Sequence, residues 1–307
     1  MIGVFDSGHG GLTVLRALTA RFPDQEFTYF GDHAYAPYGM RSTEEIYQLT
    51  RRRVAFLIDR GCRLVVLACN TASAVALRRL QQEWLPVHAP DARVLGVFIP
   101  VIEALSGQEW SVAGPSRLSP RRIAKTVGVF ATRKTVESGA FRTELQERVR
   151  GIKVIQQGCP RLAESIEKAL DPDLLKGGVR RYCEQMLAKA GRTPIELVVL
   201  GCTHYPLVRD YFEAALPPKT PIMDQPSIIA DSLARYLDRH PEFRTPVPVP
   251  AQVTYLTSGD PAIVTGTAAG LFGEAISFRY FRDDTEPAAE QEPGSTGQSE
   301  EMEEETQ

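Results

Sequence analysis

The hydrophobic positions along the chain form short continuous runs that alternate with segments of helical spacing. Residues 64–67 and 197–200 are uninterrupted runs of Leu and Val, the pattern of strands buried on both faces of a parallel sheet. Segments 12–20 and 44–60 instead place apolar residues three and four positions apart, which is typical of amphipathic helices. The alternation of the two patterns predicts an α/β fold with mostly parallel sheets.

The same pattern extends to most of the chain. The predicted strands are 1–5, 27–30, 64–67, 94–99, 126–130, 153–155, 197–200, 222–223 and 253–256. The predicted helices are 12–20, 44–60, 72–82, 135–147, 162–170, 178–190, 208–216, 227–239 and 261–272. Segment 106–122 is polar, rich in Pro, Gly and Arg and without a period, so it is predicted to be a long surface loop or insertion.

Two pairs of similar stretches indicate an internal duplication. Leu-Val-Val-Leu-Ala-Cys ends at Cys69 and Leu-Val-Val-Leu-Gly-Cys ends at Cys202, while Gly-Val-Phe begins at both Gly3 and Gly128. Gly3 precedes Cys69 by 66 residues, and Gly128 precedes Cys202 by 74. The matching order predicts two pseudo-symmetric α/β domains that face each other across an active-site cleft.

Composition and charge narrow the class of protein. The chain has 307 residues, of which 43% are hydrophobic and 24% charged, which is ordinary for a soluble protein with two domains. The net charge is −3, but residues 283–307 hold ten acids and no Lys or Arg, so the remainder carries +7. This excess is scattered Arg without a basic run, which argues against nucleic-acid binding. The acidic tail is predicted to be disordered.

Cysteine usage indicates a reducing compartment. The five cysteines are odd in number and widely spaced, which is not a disulfide framework: Cys62, Cys69, Cys159, Cys183 and Cys202. No signal sequence and no run of ~18 apolar residues is present, so a cytoplasmic protein that does not enter a membrane is expected. A metal site from Cys69, Cys202 and His204 has no Cys-x-x-Cys pair or carboxylate cluster to support it, and no metal is predicted.

The chemistry of the chain is expected to centre on two thiols. Cys69 and Cys202 would lie at the carboxyl ends of strands, where open α/β sheets place their ligands. With the two domains opposed, one thiolate can remove a proton from a carbon while the other thiol delivers a proton to the opposite face. This inverts a stereocentre without a cofactor, and a thiol pKa near ~8.5 makes both protonation states reachable. Asp6 and His204 are the candidate acid/base partners of the two thiols.

Polar residues beside the thiols are candidates for holding a substrate. Gly-rich residues 8–11 lie between a strand and a helix, where the backbone can come close to an anion. The remaining candidates follow the cysteines or end other strands, and hydroxyls among them could hold carboxylate oxygens: Ser7, Tyr38, Asn70, Thr71, Thr132 and Thr203.

Five motifs in this order resemble the aspartate/glutamate racemase family from residue 2 to about residue 272: Asp6–Leu12, Gly31–Asp32, Pro37–Ser42, Ala68–Ala72 and Gly201–Leu207. The resemblance implies a homodimer that interconverts L-glutamate and D-glutamate without a cofactor and supplies D-glutamate for peptidoglycan. It also implies a first domain of 1–97 plus 207–282, a second of 98–206, and a tail of 283–307 that has no family counterpart.

The resemblance further implies roles for individual residues. Cys69 would take the α-proton from D-glutamate and Cys202 from L-glutamate, with Asp6 and His204 assisting them and Glu167 as a further acid of the site. The implied substrate contacts are Ser7, Pro37, Tyr38, Gly39, Asn70, Thr71, Thr132 and Thr203.

Some features depart from the family, and other functions stay open. His9 stands where the family usually has a small residue, so its side chain is expected either to affect substrate access or to point outward. Segment 222–226 is looser than the usual pattern and is expected to lie away from the thiols. The alternatives are an aspartate racemase or related racemase of the same fold, and a catalytically idle regulatory or binding member.

Overall fold

The computed structural model describes residues 1–106, 126–245, 252–273 and 276–281. The predictions made for 107–122 and for the acidic tail 283–307 lie outside these residues. Over the described ranges, no helix is both long and apolar enough to cross a membrane.

Ten strands form two sheets in the described part of the chain. They are β1 Ile2–Asp6, β2 Phe27–Gly31, β3 Leu64–Leu67, β4 Arg93–Gly96, β5 Thr126–Ala131, β6 Lys153–Gly158, β7 Leu197–Gly201, β8 Ile222–Met223, β9 Val253–Thr257 and β10 Phe278–Tyr280. The first sheet has the order β10-β9-β2-β1-β3-β4 and the second β6-β5-β7-β8, with parallel pairing throughout. The predicted fold class of two parallel α/β lobes is confirmed.

Helices cover both faces of each sheet. They are α1 Leu12–Arg21, α2 Thr43–Asp59, α3 Asn70–Arg79, α4 Leu85–His88, α5 Phe98–Ser106, α6 Arg133–Glu137, α7 Ala140–Arg148, α8 Leu162–Glu167, α9 Pro172–Ala190, α10 Arg209–Ala215, α11 Gln225–Arg239 and α12 Pro261–Phe272. A π-helical turn, Leu80–Trp84, joins α3 to α4. Two apolar clusters per sheet, one on each face, form the core, which explains why the central strands are apolar without interruption.

The strand order makes the duplication visible. The order β2-β1-β3-β4 in the first sheet corresponds to β6-β5-β7-β8 in the second. Cys69 follows β3 and Cys202 follows β7, so the two thiols occupy equivalent positions. Ser7 and Thr132 likewise follow the equivalent strands β1 and β5. Each of these four residues therefore lies at the carboxyl edge of its own sheet, beside the point where the strand order reverses.

Several predicted boundaries differ from the structure. Residues 98–99 begin helix α5 instead of ending a strand, and Gly139, in the left-handed region at φ 68°, divides predicted helix 135–147 into α6 and α7. The chain also changes sheets later than residue 207, because β8 pairs with β7 in the second sheet and α10 packs on α9. The physical reason is the repeat itself, in which β8 is the counterpart of β4.

Candidate active site

A cavity between the two lobes brings together most of the residues predicted for the site. Its empty volume, including the open solvent at its mouth, is about 430 Å³. Of the thirteen predicted site residues, all except Asp6 line it: Ser7, Pro37, Tyr38, Gly39, Cys69, Asn70, Thr71, Thr132, Glu167, Cys202, Thr203 and His204. Gly8 of the Gly-rich turn also lines the cavity, and three further lining residues were not predicted: Ala36, Ala163 and Glu164. The roles assigned to these residues stay predictions.

Cys69 caps a helix inside this cavity. It is the N-cap of α3, where its Sγ lies 3.4 Å from the Ala72 backbone N–H and 3.5 Å from Ser7 Oγ. Burial, followed by the charge of nearby Asp6, raises the pKa of Cys69 to about 12. Its thiol therefore holds its proton at neutral pH, while the helix N-terminus and the Ser7 hydroxyl favour the thiolate when it forms.

Cys202, on the opposite lobe, has an imidazole as its neighbour. His204 Nδ1 lies 3.8 Å from Cys202 Sγ, and His204 Nε2 lies 2.8 Å from Glu167 Oε1. Burial alone would lower the pKa of His204, but the Glu167 charge and the hydrogen bonds of the ring raise it well above its ordinary value. A protonated imidazole at this position donates toward the sulfur.

Asp6 lies behind the cavity wall, where it joins the two lobes. Its side chain is fully buried, with Oδ1 accepting from the Gly8 backbone N–H at 2.8 Å and Oδ2 from Thr203 Oγ1 at 3.3 Å. Burial raises the pKa of Asp6 to about 6, against the opposing effect of His204. A carboxyl with this pKa can gain or lose a proton near neutral pH, as an acid/base partner must.

The Gly-rich turn after β1 allows the lobes to approach each other. A Cβ atom on Gly8 would lie 2.7 Å from Glu167 Oε1, and one on Gly10 would lie 2.4 Å from Thr203 Oγ1 and 2.5 Å from His204 Nδ1. Tyr29 donates a 2.6 Å hydrogen bond to the Gly8 carbonyl and holds the turn in place. Gly8 lines the cavity as expected, and Gly10 is required for contact between the lobes.

Three threonine hydroxyls close the cavity on another side. Thr71 Oγ1 lies 3.0 Å from Thr132 Oγ1 and 3.1 Å from Thr135 Oγ1, and the last two hydroxyls are 3.0 Å apart. Thr132 also caps α6 through the Thr135 backbone N–H. Because Thr71 belongs to one lobe and Thr132 to the other, a substrate held by both would bridge the cleft. Thr135 was not predicted, since it lies one turn inside its helix.

Two predicted substrate contacts have other partners in the structure. The Tyr38 hydroxyl donates its hydrogen to Asp32 Oδ2 at 2.6 Å. It therefore has no hydrogen left to donate to a substrate carboxylate, and only its ring and the backbone of its loop remain available for contact with a substrate. Asn70 exchanges two amide hydrogen bonds with Gln225, at 3.1 and 2.9 Å. Gln225 belongs to segment 222–226, so the expectation that this segment lies away from the thiols is wrong at that residue, because it contacts the neighbour of Cys69.

A buried ion pair supports the Tyr38 loop. Arg53 of α2 donates to Asp32 Oδ1 at 3.0 Å, and both side chains are almost completely buried. The Arg53 guanidinium also lies over the Phe30 and Tyr35 rings. Asp32 thus accepts from Arg53 on one oxygen and from Tyr38 on the other, which fixes the loop to the helix behind it. The Gly-Asp motif after the second strand was the signal for Asp32, whereas nothing in the helical pattern singles out Arg53.

In the described ranges, His, Cys, Asp and Glu side chains nowhere form a group of three or more that could hold a metal ion.

Comparison with known proteins places this geometry among racemases. The profile of the Asp/Glu/Hydantoin racemase family matches residues 12–233. The glutamate racemase of Roseobacter denitrificans is 47% identical over 279 residues, which cover 90% of this chain and 98% of that protein.

Solved structures give the same result. Glutamate racemase isoform RacE1 from Bacillus anthracis superposes with a TM-score of 0.77 at 28% identity, covering 92% of this chain and 97% of that one. The glutamate racemase of Escherichia coli, in complex with L-glutamate and the activator UDP-MurNAc-ala, has a TM-score of 0.68 at 25% identity and covers 91% and 96%.

Proposed function

The chain belongs to the Asp/Glu/hydantoin racemase family, and we propose that it interconverts L-glutamate and D-glutamate with Cys69 and Cys202 as the two proton carriers. The observation that carries this proposal is the placement of one thiol from each lobe on a single cavity between the lobes. The chain is an isomerase by family, and the glutamate named for its relatives supports the substrate.

The reaction divides into two proton transfers. The Cys202 thiolate takes the α-proton of L-glutamate, which leaves a carbanion and a Cys202 thiol, and the Cys69 thiol then protonates the opposite face to give D-glutamate and a Cys69 thiolate. The reverse direction exchanges the two roles. An α-proton is far less acidic than any side chain, so the hydroxyls and helix N-terminus around the cavity must stabilise the carbanion while bulk water is excluded.

The two thiols are not equivalent before substrate binds. Cys69 holds its proton because burial raises its pKa to about 12, whereas Cys202 has the His204 imidazole as its neighbour, 3.8 Å away. A protonated Cys69 is the form that delivers a proton to the opposite face when the reaction begins with L-glutamate. After one turnover toward D-glutamate, the proton must return from the Cys202 side to the Cys69 side, and Asp6 is the group placed to assist it.

Replacing either thiol tests the proposal. We expect Cys69→Ala and Cys202→Ala to lose racemisation, followed by the circular dichroism of L-glutamate and D-glutamate, while both variants keep the thermal unfolding profile of the parent. Aspartate is assayed in parallel. Inversion of aspartate without inversion of glutamate would make the protein an aspartate racemase, and near-normal turnover in either variant would contradict the two-thiol scheme.

Deuterium incorporation tests whether each thiol exchanges protons with only one enantiomer. Enantiomers have equal free energies in water, so kcat/KM in the two directions must stay equal in every variant and cannot reveal which thiol acts first. In deuterated water, however, each thiol carries a single proton and returns it to the enantiomer from which it came. We therefore expect the product enantiomer to contain deuterium from the first turnover while the remaining substrate keeps its α-proton.

We further propose the biological setting that the family resemblance implies. The enzyme would work in the cytoplasm as a homodimer, require no cofactor, and supply D-glutamate for peptidoglycan. Sedimentation equilibrium tests the dimer. Growth of a strain lacking the gene, with and without added D-glutamate, tests the supply of D-glutamate.

A further inference from the structure

His9 lies directly behind the cavity and joins the two lobes through Glu167. It follows β1 in the Gly-rich turn, and its side chain is buried, so of the two orientations expected for it the outward one is wrong. The ring does not line the cavity. It packs instead on the His33 ring, with the ring centroids 4.2 Å apart. Its centroid lies 6.2 Å from that of the Phe278 ring, and the two rings are arranged edge to face.

Both nitrogens of the His9 ring contact an acceptor. Nε2 lies 3.0 Å from the Val264 carbonyl oxygen in α12, and Nδ1 lies 3.2 Å from Glu167 Oε1. A carbonyl oxygen only accepts, so Nε2 carries a hydrogen. A carboxylate also only accepts, so the contact with Glu167 is a hydrogen bond in the imidazolium form of the ring, in which Nδ1 carries a hydrogen as well. The ring is thus anchored to the first lobe at one nitrogen and holds a carboxylate of the second lobe with the other.

The negative charge of Glu167 is not stabilised by its own helix. It is the last residue of α8, a helix of six residues, where the adjacent carbonyl groups disfavour a negative charge. Burial would raise the pKa of Glu167, but the charges and hydrogen bonds of His204 and His9 lower it well below its ordinary value. Its Oε1 accepts from His204 Nε2 at 2.8 Å and from the His9 backbone and ring at 2.9 and 3.2 Å.

We propose that His9 is a positioning residue for the Cys202 half of the reaction: it fixes Glu167 across the cleft, and Glu167 in turn holds the His204 ring against Cys202. The inference rests on the proposed function, because it assigns His9 to the thiol that acts on L-glutamate. The chain of contacts runs from Val264 through His9, Glu167 and His204 to the sulfur, and it leaves the Cys69 half untouched.

Two polar substitutions separate the contact with Glu167 from the rest of the side chain. In His9→Asn the amide nitrogen can occupy the position of Nδ1, whereas in His9→Gln it reaches the position of Nε2 and leaves Glu167 without the ring donor. We expect His9→Gln and the apolar His9→Leu to lower kcat about tenfold, equivalent to about 1.4 kcal/mol, with KM little changed because His9 does not line the cavity. His9→Asn should retain most of the parental kcat.

An isotope effect shows which half of the reaction is affected. If proton transfer at Cys202 is slowed, removal of the α-proton limits kcat/KM more strongly for L-glutamate and less strongly for D-glutamate. The primary effect measured with α-deuterated L-glutamate should therefore rise in His9→Gln, and that measured with α-deuterated D-glutamate should fall. Ser7→Ala, which removes the hydroxyl beside Cys69, is the mirror control and should shift both effects the other way.

The outcomes separate this inference from the proposed function. Absence of glutamate racemisation in the parent protein would overturn the function itself. With an active parent, equal kcat in His9→Asn and His9→Gln, or isotope effects that do not move apart, would overturn the role of His9. Thermal unfolding identifies any variant that fails to fold, and the comparison of Asn with Gln remains decisive if only His9→Leu is lost.

Discussion

The Asp6 carboxyl is fully buried, and its charge is costly to the fold. Its pKa rises from 3.8 to about 6 because burial penalises the ionised form, which corresponds to about 3 kcal/mol of destabilisation once Asp6 is ionised. Between these two pKa values the folded chain binds more protons than the unfolded chain, so the contribution of Asp6 to stability falls as the pH rises from about 4 to about 6 and stays low above that.

Replacement of Asp6 by Asn should increase the stability of the fold and lower the activity. The amide can still accept from Gly8 and contact Thr203, but it carries no charge. We expect Asp6→Asn to increase the free energy of unfolding by about 1–3 kcal/mol at pH 7.5, with the gain disappearing toward pH 4, as measured by urea unfolding. The increase of kcat/KM with pH through about 6 should be lost together with most of the activity. Equal stability of the two proteins at pH 7.5 would contradict the cost assigned to the charge.

Single residues could be predicted where a pattern marks them, but their partners could not. The two cysteines stand out because each ends an apolar run and the run occurs twice. Gln225 was missed, since its partner Asn70 lies 155 residues away and no local pattern links two amides at that separation. The hydrogen bond from Tyr38 to Asp32 could not be predicted either, because it depends on how the loop folds back.

At the scale of elements, helix α2 holds the cavity loop through Arg53. Loss of one partner of a buried ion pair leaves the other charge buried without compensation, which costs about 3–5 kcal/mol. We therefore expect Arg53→Met to lower the free energy of unfolding by this amount in urea titrations and to raise KM, because Asp32 no longer fixes the Tyr38 loop. The double variant Arg53→Met/Asp32→Asn should recover part of the lost stability, since it removes the stranded charge.

Arg79→Met is the matched control for Arg53→Met, because it removes an arginine whose ion pair with helix α2 is exposed. Arg79 bonds Glu44 of α2 at 2.6 Å, but both side chains are well exposed, and exposed pairs contribute about 0–1 kcal/mol. The control should therefore have nearly parental stability and KM. A loss of stability in Arg79→Met as large as that in Arg53→Met would show that burial does not decide the difference.

The elements themselves were predictable where the apolar period is regular. Helices α2 and α11 were found to within two residues at each end, because the apolar spacing repeats over several turns, whereas α9 begins six residues before its predicted start. Residues 97–99, Val-Phe-Ile, read as a strand because a short apolar run has no period that distinguishes a buried strand from a buried helix. Strand β10, of three residues, exists only by pairing with β9, so its own sequence holds no signal for it.

At the scale of the molecule, the duplication predicted two lobes but not where the chain passes between them. The repeated strings mark only two strands of each lobe, whereas the fourth strand of the second lobe has two residues and no matching string. The equivalence of β4 and β8 could be recognised only from the pairing order. The contacts between lobes were equally hidden, because the glycines that permit them were read as a binding turn for a ligand.

The approach of the two lobes at Gly10 leads to the last prediction. Gly10 has no left-handed backbone that would exclude Ala, so the effect of a substitution there is purely steric. The added Cβ would overlap Thr203 Oγ1 and His204 Nδ1, so both side chains must shift, and both line the cavity beside Cys202. We expect Gly10→Ala to lower kcat/KM more than tenfold and to cost about 1–3 kcal/mol of stability, as overpacking does.

Gly266→Ala is the matched control, at an exposed position inside α12 with open space around it. It should instead add about 0.5–1 kcal/mol to the free energy of unfolding and leave kcat/KM unchanged. Parental activity in Gly10→Ala, measured by circular dichroism beside this control, would mean that the active cleft does not require the lobes to meet at this glycine.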